Sequence, residues 1–128
     1  MTSVGLAAGA ATANAEPAGH TVVYTLTTEA PADFDLYYLE NQPPSKAAYD
    51  ADAYSYLKKA PVSLGPDAPW SFTTTLTDPQ WAILTVSSTT HGMQAAPVPH
   101  CDISVDGQSV VALSAPYNLQ CRMPGSQI

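Results

Sequence analysis

The sequence predicts an all-β domain: a two-sheet antiparallel sandwich of the broadly immunoglobulin-like kind, with one disulfide and a short helical insert. Three observations carry this. Short runs of alternating apolar and polar residues, rich in Val, Thr and Tyr, recur between turn signals. Twelve prolines in 128 residues interrupt any long helical periodicity. Two cysteines, Cys101 and Cys121, stand in a chain that reads as exported, where an even count favours a bridge. A closed barrel is the competing architecture for the same strand pattern, and two buried free thiols are the alternative to the bridge. The length suits one hydrophobic core.

The first fifteen residues, MTSVGLAAGAATANA, carry no charge and end in the small-residue pattern Ala13-Asn14-Ala15. They read as a signal-peptide remnant, with a disordered Ala-rich leader as the alternative, and for want of a positive n-region the true translation start is expected upstream. The expected organisation is a leader over residues 1–15 and a single β-sandwich domain over residues 16–128 with an insert at 41–59. The expected location is secreted, periplasmic or in the cell envelope.

The first strand is HTVVYTLTT, where Val22, Tyr24 and Leu26 alternate with Val23, Thr25 and Thr27. It ends at Glu29-Ala30-Pro31, and ADFDLYYLE, with Phe34, Leu36 and Tyr38 on one face, is expected to pair with it as a hairpin. Pro43-Pro44 then stops the strand. Ser45 can cap a helix from about Lys46 to Lys58 that carries Tyr49, Ala53, Tyr56 and Leu57 on one stripe, an extended arm being the alternative. Leu64 to Pro69 reads as turn, and Trp70 to Thr77 and Trp81 to Ser88 as strands divided by Asp78-Pro79. The second of these is apolar on both faces at its start, which marks a strand covered on both sides.

After a loop over Thr89 to Pro99, Asp106-Gly107 is a two-residue hairpin turn that needs positive φ at both positions. An unbroken register from this turn pairs Val105 with Gln108, Ile103 with Val110 and Cys101 with Ala112. The last strand, Leu119 to Met123, brings Cys121 near Cys101.

A formal net charge of −7 argues against nucleic acid as a partner and against direct docking on anionic lipid. No stretch after the leader reaches the roughly 18 apolar residues of a transmembrane helix, so no membrane span is expected in the mature chain. His91, His100 and Cys101 lack paired metal-ligand spacing. The carboxylate pairs Asp33/Asp35 and Asp50/Asp52 lack a calcium-loop frame and read as solvated surface. There is no nucleophile elbow, H-E-x-x-H, P-loop or dinucleotide fingerprint, so neither an enzyme nor a cofactor is expected. The feature that stands out is aromatic: Tyr37, Tyr38, Tyr49, Tyr54, Tyr56 and Trp70 concentrate around the insert. Such rings suit a partner-binding surface, the alternative being a secondary core beneath the insert.

Several short motifs resemble the mycobacterial small membrane protein family (MmpS-like), whose members are accessory to the large MmpL lipid and siderophore exporters. They are Pro69-Trp70-Ser71, the strand from Trp81 to Ser88, Cys101-Asp102-Ile103-Ser104-Val105-Asp106-Gly107, Leu119-Gln120-Cys121, and Val22-Val23-Tyr24 with Ala32-Asp33-Phe34-Asp35. The resemblance implies a periplasmic or secreted sandwich whose disulfide is part of the framework, binding an MmpL-type exporter, a lipid or another envelope component. The function expected is thus a non-catalytic cell-envelope binding or accessory domain assisting a lipid or siderophore exporter. A carrier holding a lipid or small apolar ligand between the sheets is the alternative, and a small hydrolase with carboxylates assembled in space is a third reading.

Overall fold

The computed structural model describes residues 19–89 and 95–126; the leader lies outside them. The described residues form eight strands: β1 (His20–Thr28), β2 (Ala32–Leu39), β3 (Leu57–Leu64), β4 (Trp70–Leu76), β5 (Ile83–Ser88), β6 (Pro99–Val105), β7 (Gln108–Ser114) and β8 (Leu119–Arg122). One helix, α1 (Lys46–Ala51), and 3-10 turns at Ala53–Ser55 and Pro79–Trp81 complete them. Two four-stranded antiparallel sheets result, ordered β4-β1-β6-β7 and β3-β2-β5-β8. The protein is a β-sandwich.

The core lies between the sheets because each alternating strand turns its apolar face inward. Val22, Tyr24, Leu26, Leu76 and Ile103 of the first sheet meet Phe34, Leu36, Tyr38, Leu84 and Val86 of the second, all buried. Cys101 on β6 and Cys121 on β8 join the two sheets through a disulfide, with Cα atoms 6.5 Å apart. Tyr24 adds a polar tie across the same gap, its hydroxyl donating to the Leu39 carbonyl at 2.8 Å.

Four expectations are corrected. β1 and β2 do not pair as a hairpin: β1 lies between β4 and β6, and β2 between β3 and β5 in the opposite sheet. The link Glu29-Ala30-Pro31 has no positive-φ residue to turn the chain back beside itself. It is held at the crossing instead, where the Glu29 and Ala30 N–H groups and the Thr28 hydroxyl all bond the Pro97 carbonyl. The two apolar faces thus meet across the core rather than lying side by side.

The helix expected over Lys46 to Lys58 is shorter. It stops at Ala51, and Leu57–Leu64 is a strand. Pro61 disguises β3 in the sequence, but β3 is an edge strand of its sheet, where a residue without an N–H is tolerated.

The register of the β6-β7 hairpin shifts at a bulge. Val105 opposes Gln108 as expected, but Ile103 opposes Val111 and Cys101 opposes Leu113. The extra residue, Val110, is left 44% exposed. Finally, Trp81 belongs to a 3-10 turn and β5 begins at Ile83.

Candidate functional site

The outward face of the second sheet carries a row of side chains set by strand register. Lys59 opposes Tyr37, Tyr37 opposes Thr85 and Thr85 opposes Gln120, one residue from each of four adjacent strands. Successive residues alternate faces, so this row points away from the core that Tyr38 and Leu84 enter.

The insert folds over one end of the row. The Tyr56 carbonyl accepts from the N–H groups of Glu40 and Asn41 at 2.9 and 3.2 Å, closing the base of the loop. Ser45 caps α1, its side chain accepting from the Ala48 N–H at 3.0 Å. Helix and turn then set Tyr49 and Tyr54 above the sheet. Tyr49 packs on Trp81 at 5.5 Å between ring centroids and stacks on Tyr56 at 6.4 Å. Its hydroxyl is held above the usual phenol range, by burial first and by Asp50 second.

Between insert and sheet lies an open cavity of about 300 Å³, lined by Tyr37, Tyr49, Tyr54, Leu57, Ile83, Thr85 and Gln120. Its volume is at the lower end of ligand pockets, about 300–1,000 Å³. Tyr37 and Tyr54 face each other at 6.2 Å with planes inclined by 52°. The Lys59 ammonium lies 5.7 Å from the Tyr37 ring centroid, within cation–π range. On the floor, Gln120 Nε2 donates to Thr85 Oγ1 at 3.1 Å. The cavity combines aromatic walls, two aliphatic side chains and one amide–hydroxyl pair, with no side chain of its lining ionised at neutral pH.

The six aromatic residues singled out in the sequence divide into two groups. Tyr37, Tyr49 and Tyr54 line the cavity, and Tyr56 supports Tyr49 from behind. Tyr38 is 3% exposed and belongs to the core, against Tyr24, Trp70 and Phe72 with ring centroids 5.9, 5.1 and 4.7 Å away. Trp70 is half-buried in that cluster, stacked on Phe72. The expectation of Tyr38 as a contact residue is corrected: it has an inward register position, one residue from the outward Tyr37.

Sequence reasoning missed Leu57, Ile83, Thr85 and Gln120. The signal for Ile83 was present in the two-sided apolar start of β5, which announces a cover over its outer face. Thr85 and Gln120 become neighbours only through the pairing of β5 with β8, 35 residues apart.

Elsewhere, Asp33, Asp50 and Asp52 are exposed and bonded to Ser63, Lys46 and Ser55. His100 bonds Glu29 and His20 bonds Asp106, both at 2.7 Å. His91 lies outside the described residues, among which no cluster of three or more metal-ligating side chains occurs. No described helix is long and apolar enough to cross a membrane.

Over residues 24–121 the chain matches a family described as the Rv2576c beta-sandwich domain. It is 39% identical over 112 residues to the uncharacterized protein Rv2576c of Mycobacterium tuberculosis (strain ATCC 25618 / H37Rv), an alignment covering 87% of this chain and 71% of that protein. The uncharacterized protein Mb2606c of Mycobacterium bovis matches with the same identity and coverage.

Proposed function

The chain belongs to the Rv2576c beta-sandwich domain family, and from that premise we propose that it is a non-catalytic binding domain of the mycobacterial type of cell envelope, with the insert-covered sheet face as its contact surface. The observation that carries this reading is the 300 Å³ cavity whose walls are Tyr37, Tyr49 and Tyr54. Large, stiff rings with a polar tip gain contact area at low entropy cost, and Tyr54 is 74% exposed although it is one of the largest apolar surfaces available for burial.

Location in an exported compartment is supported by the charge-free leader sequence and by a disulfide, which persists in oxidising surroundings. The resemblance of several short motifs to the MmpS-like family extends the proposal to a role beside an exporter of the MmpL type. The cavity bears on the carrier alternative as well. It lies on the outer face of one sheet rather than between the two, so a small ligand would be held under the insert, not in the core.

The test compares capture from envelope extract by the wild-type domain and by Tyr37→Ala with Tyr54→Ala, followed by mass spectrometry. Components held by the wild type and lost by the variant support the reading. Identical capture by both removes the cavity as the contact surface.

A further inference from the structure

We infer that the cavity beneath the insert binds a single neutral saccharide ring, the glycan portion of an envelope component; this rests on the reading of that face as a contact surface.

The lining decides between ligand classes. Tyr37, Tyr49, Tyr54, Leu57, Ile83, Thr85 and Gln120 include no ionised group at neutral pH. Within the lining a ligand bearing a formal charge finds no oppositely charged side chain, and the neighbouring Lys59 ammonium is set over the Tyr37 ring, so a charged ligand gives up hydration at a cost a neutral one does not incur. Aromatic walls by themselves would also suit a quaternary ammonium group. The Lys59 ammonium is already 5.7 Å from the Tyr37 ring centroid and repels a second cation at that wall. An acyl chain would satisfy the rings but cover the Thr85 hydroxyl and the Gln120 amide without replacing their water, leaving polar atoms unpaired.

A sugar ring answers all of these features together. Its C–H faces are apolar and pack on aromatic rings, while its hydroxyls each donate and accept. Because Gln120 Nε2 donates to Thr85 Oγ1, the Thr85 O–H remains as a donor and Gln120 Oε1 as an acceptor. Donor and acceptor side by side match two neighbouring hydroxyls of a sugar. Tyr37 and Tyr54, inclined by 52°, form a cup rather than the parallel slot that a flat heterocycle requires. The volume, about 300 Å³, limits the occupant to a small ring rather than an extended chain.

The test is an amide-shift NMR titration of the disulfide-intact chain with the methyl glycosides of glucose, galactose and mannose. Choline chloride and phosphatidylcholine vesicles serve as competing probes. The expected result is saturable shifts at Tyr37, Ile83, Thr85 and Gln120 with at least one glycoside. Gln120→Ala and Tyr54→Ala should each weaken binding about tenfold, equivalent to about 1.4 kcal/mol. Both side chains are exposed, so an unchanged denaturation midpoint would separate lost binding from lost folding.

The inference is overturned if no glycoside shifts these amides, if choline or vesicles shift them instead, or if glycoside binding survives both substitutions. Loss of envelope capture in Tyr37→Ala with Tyr54→Ala, without any glycoside response, would leave the contact surface standing and remove the saccharide. Glycoside binding with unaltered envelope capture would keep the saccharide site and remove that surface as the envelope contact.

Discussion

The Tyr24 hydroxyl sits in the dry interior of the sandwich, on a side chain with no exposure to solvent. Burial raises its pKa well above the usual phenol range, with the Ile83 backbone acting in the opposite direction. It therefore remains a neutral donor to Leu39. Tyr24→Phe leaves the ring packing intact but removes that donor, and a loss of about 1–2 kcal/mol is expected. A denaturant titration with an unchanged slope would show it; an unchanged midpoint would mean that the bond adds nothing over solvent. Asp106 acts at the surface. Its positive φ of 52°, followed by 87° at Gly107, makes the β6-β7 turn. Its carboxyl is held below the ordinary carboxylate range by the His20 hydrogen bond first and the Thr21 N–H second. A carboxylate lowered in the folded state stabilises above its unfolded pKa of about 3.9, and that contribution disappears as pH falls through the lower folded value. Asp106→Asn, which still tolerates positive φ, should flatten the acid limb of stability against pH in thermal melts. The turn was legible from two adjacent residues. The hydrogen bond to His20 was not, because that partner is 86 residues away.

Among the elements, the insert is the one whose local signals were only half sufficient. Ser45 caps α1 as its sequence position suggested, yet α1 has six residues, too few to persist without tertiary support. Its support comes from Tyr49 on Trp81 and from the backbone clamp at Tyr56. Ser45→Ala should cost about 1 kcal/mol, felt locally. Amide exchange should accelerate in residues 46–51 while β1 and β6 keep their protection. Uniform acceleration across the sheets would show instead that the insert and sandwich unfold as one unit. β3 was hidden for the opposite reason. Ala60, Val62 and Leu64 alternate as a strand should, but Pro61 and the two lysines argue against a central position, and only the sheet order shows that β3 is an edge. Those same residues guard it, since Lys and Pro discourage pairing with another chain. By contrast β7, an edge strand of the other sheet, has neither charge nor proline in Gln108–Ser114.

For the molecule as a whole, alternation along single strands was enough to indicate two sheets and a core, because every strand declares which face is apolar. It does not declare which strand lies beside it. β1 and β2 have similar patterns and a short link, and satisfy the same hydrophobic demand side by side or face to face. The bonds at Pro97, 69 residues from Thr28, help hold the face-to-face solution. The same limit explains the site. Tyrosine enrichment pointed to the region where the cavity lies, but which of Tyr37 and Tyr38 looks outward follows from register, and the Thr85–Gln120 floor from strand order.

The bridge between Cys101 and Cys121 has a further consequence in time. The two residues are 2% and 0% exposed, so a thiolate in solution cannot reach either sulfur until the strands around them separate. The chain thus keeps a memory of the moment it was oxidised, and later surroundings do not rewrite it unless unfolding intervenes. Mild reductant with an alkylating probe should leave the native protein unlabelled for as long as it stays folded. Addition of denaturant should release two labelled cysteines together, at the rate of unfolding rather than at the rate of thiol exchange.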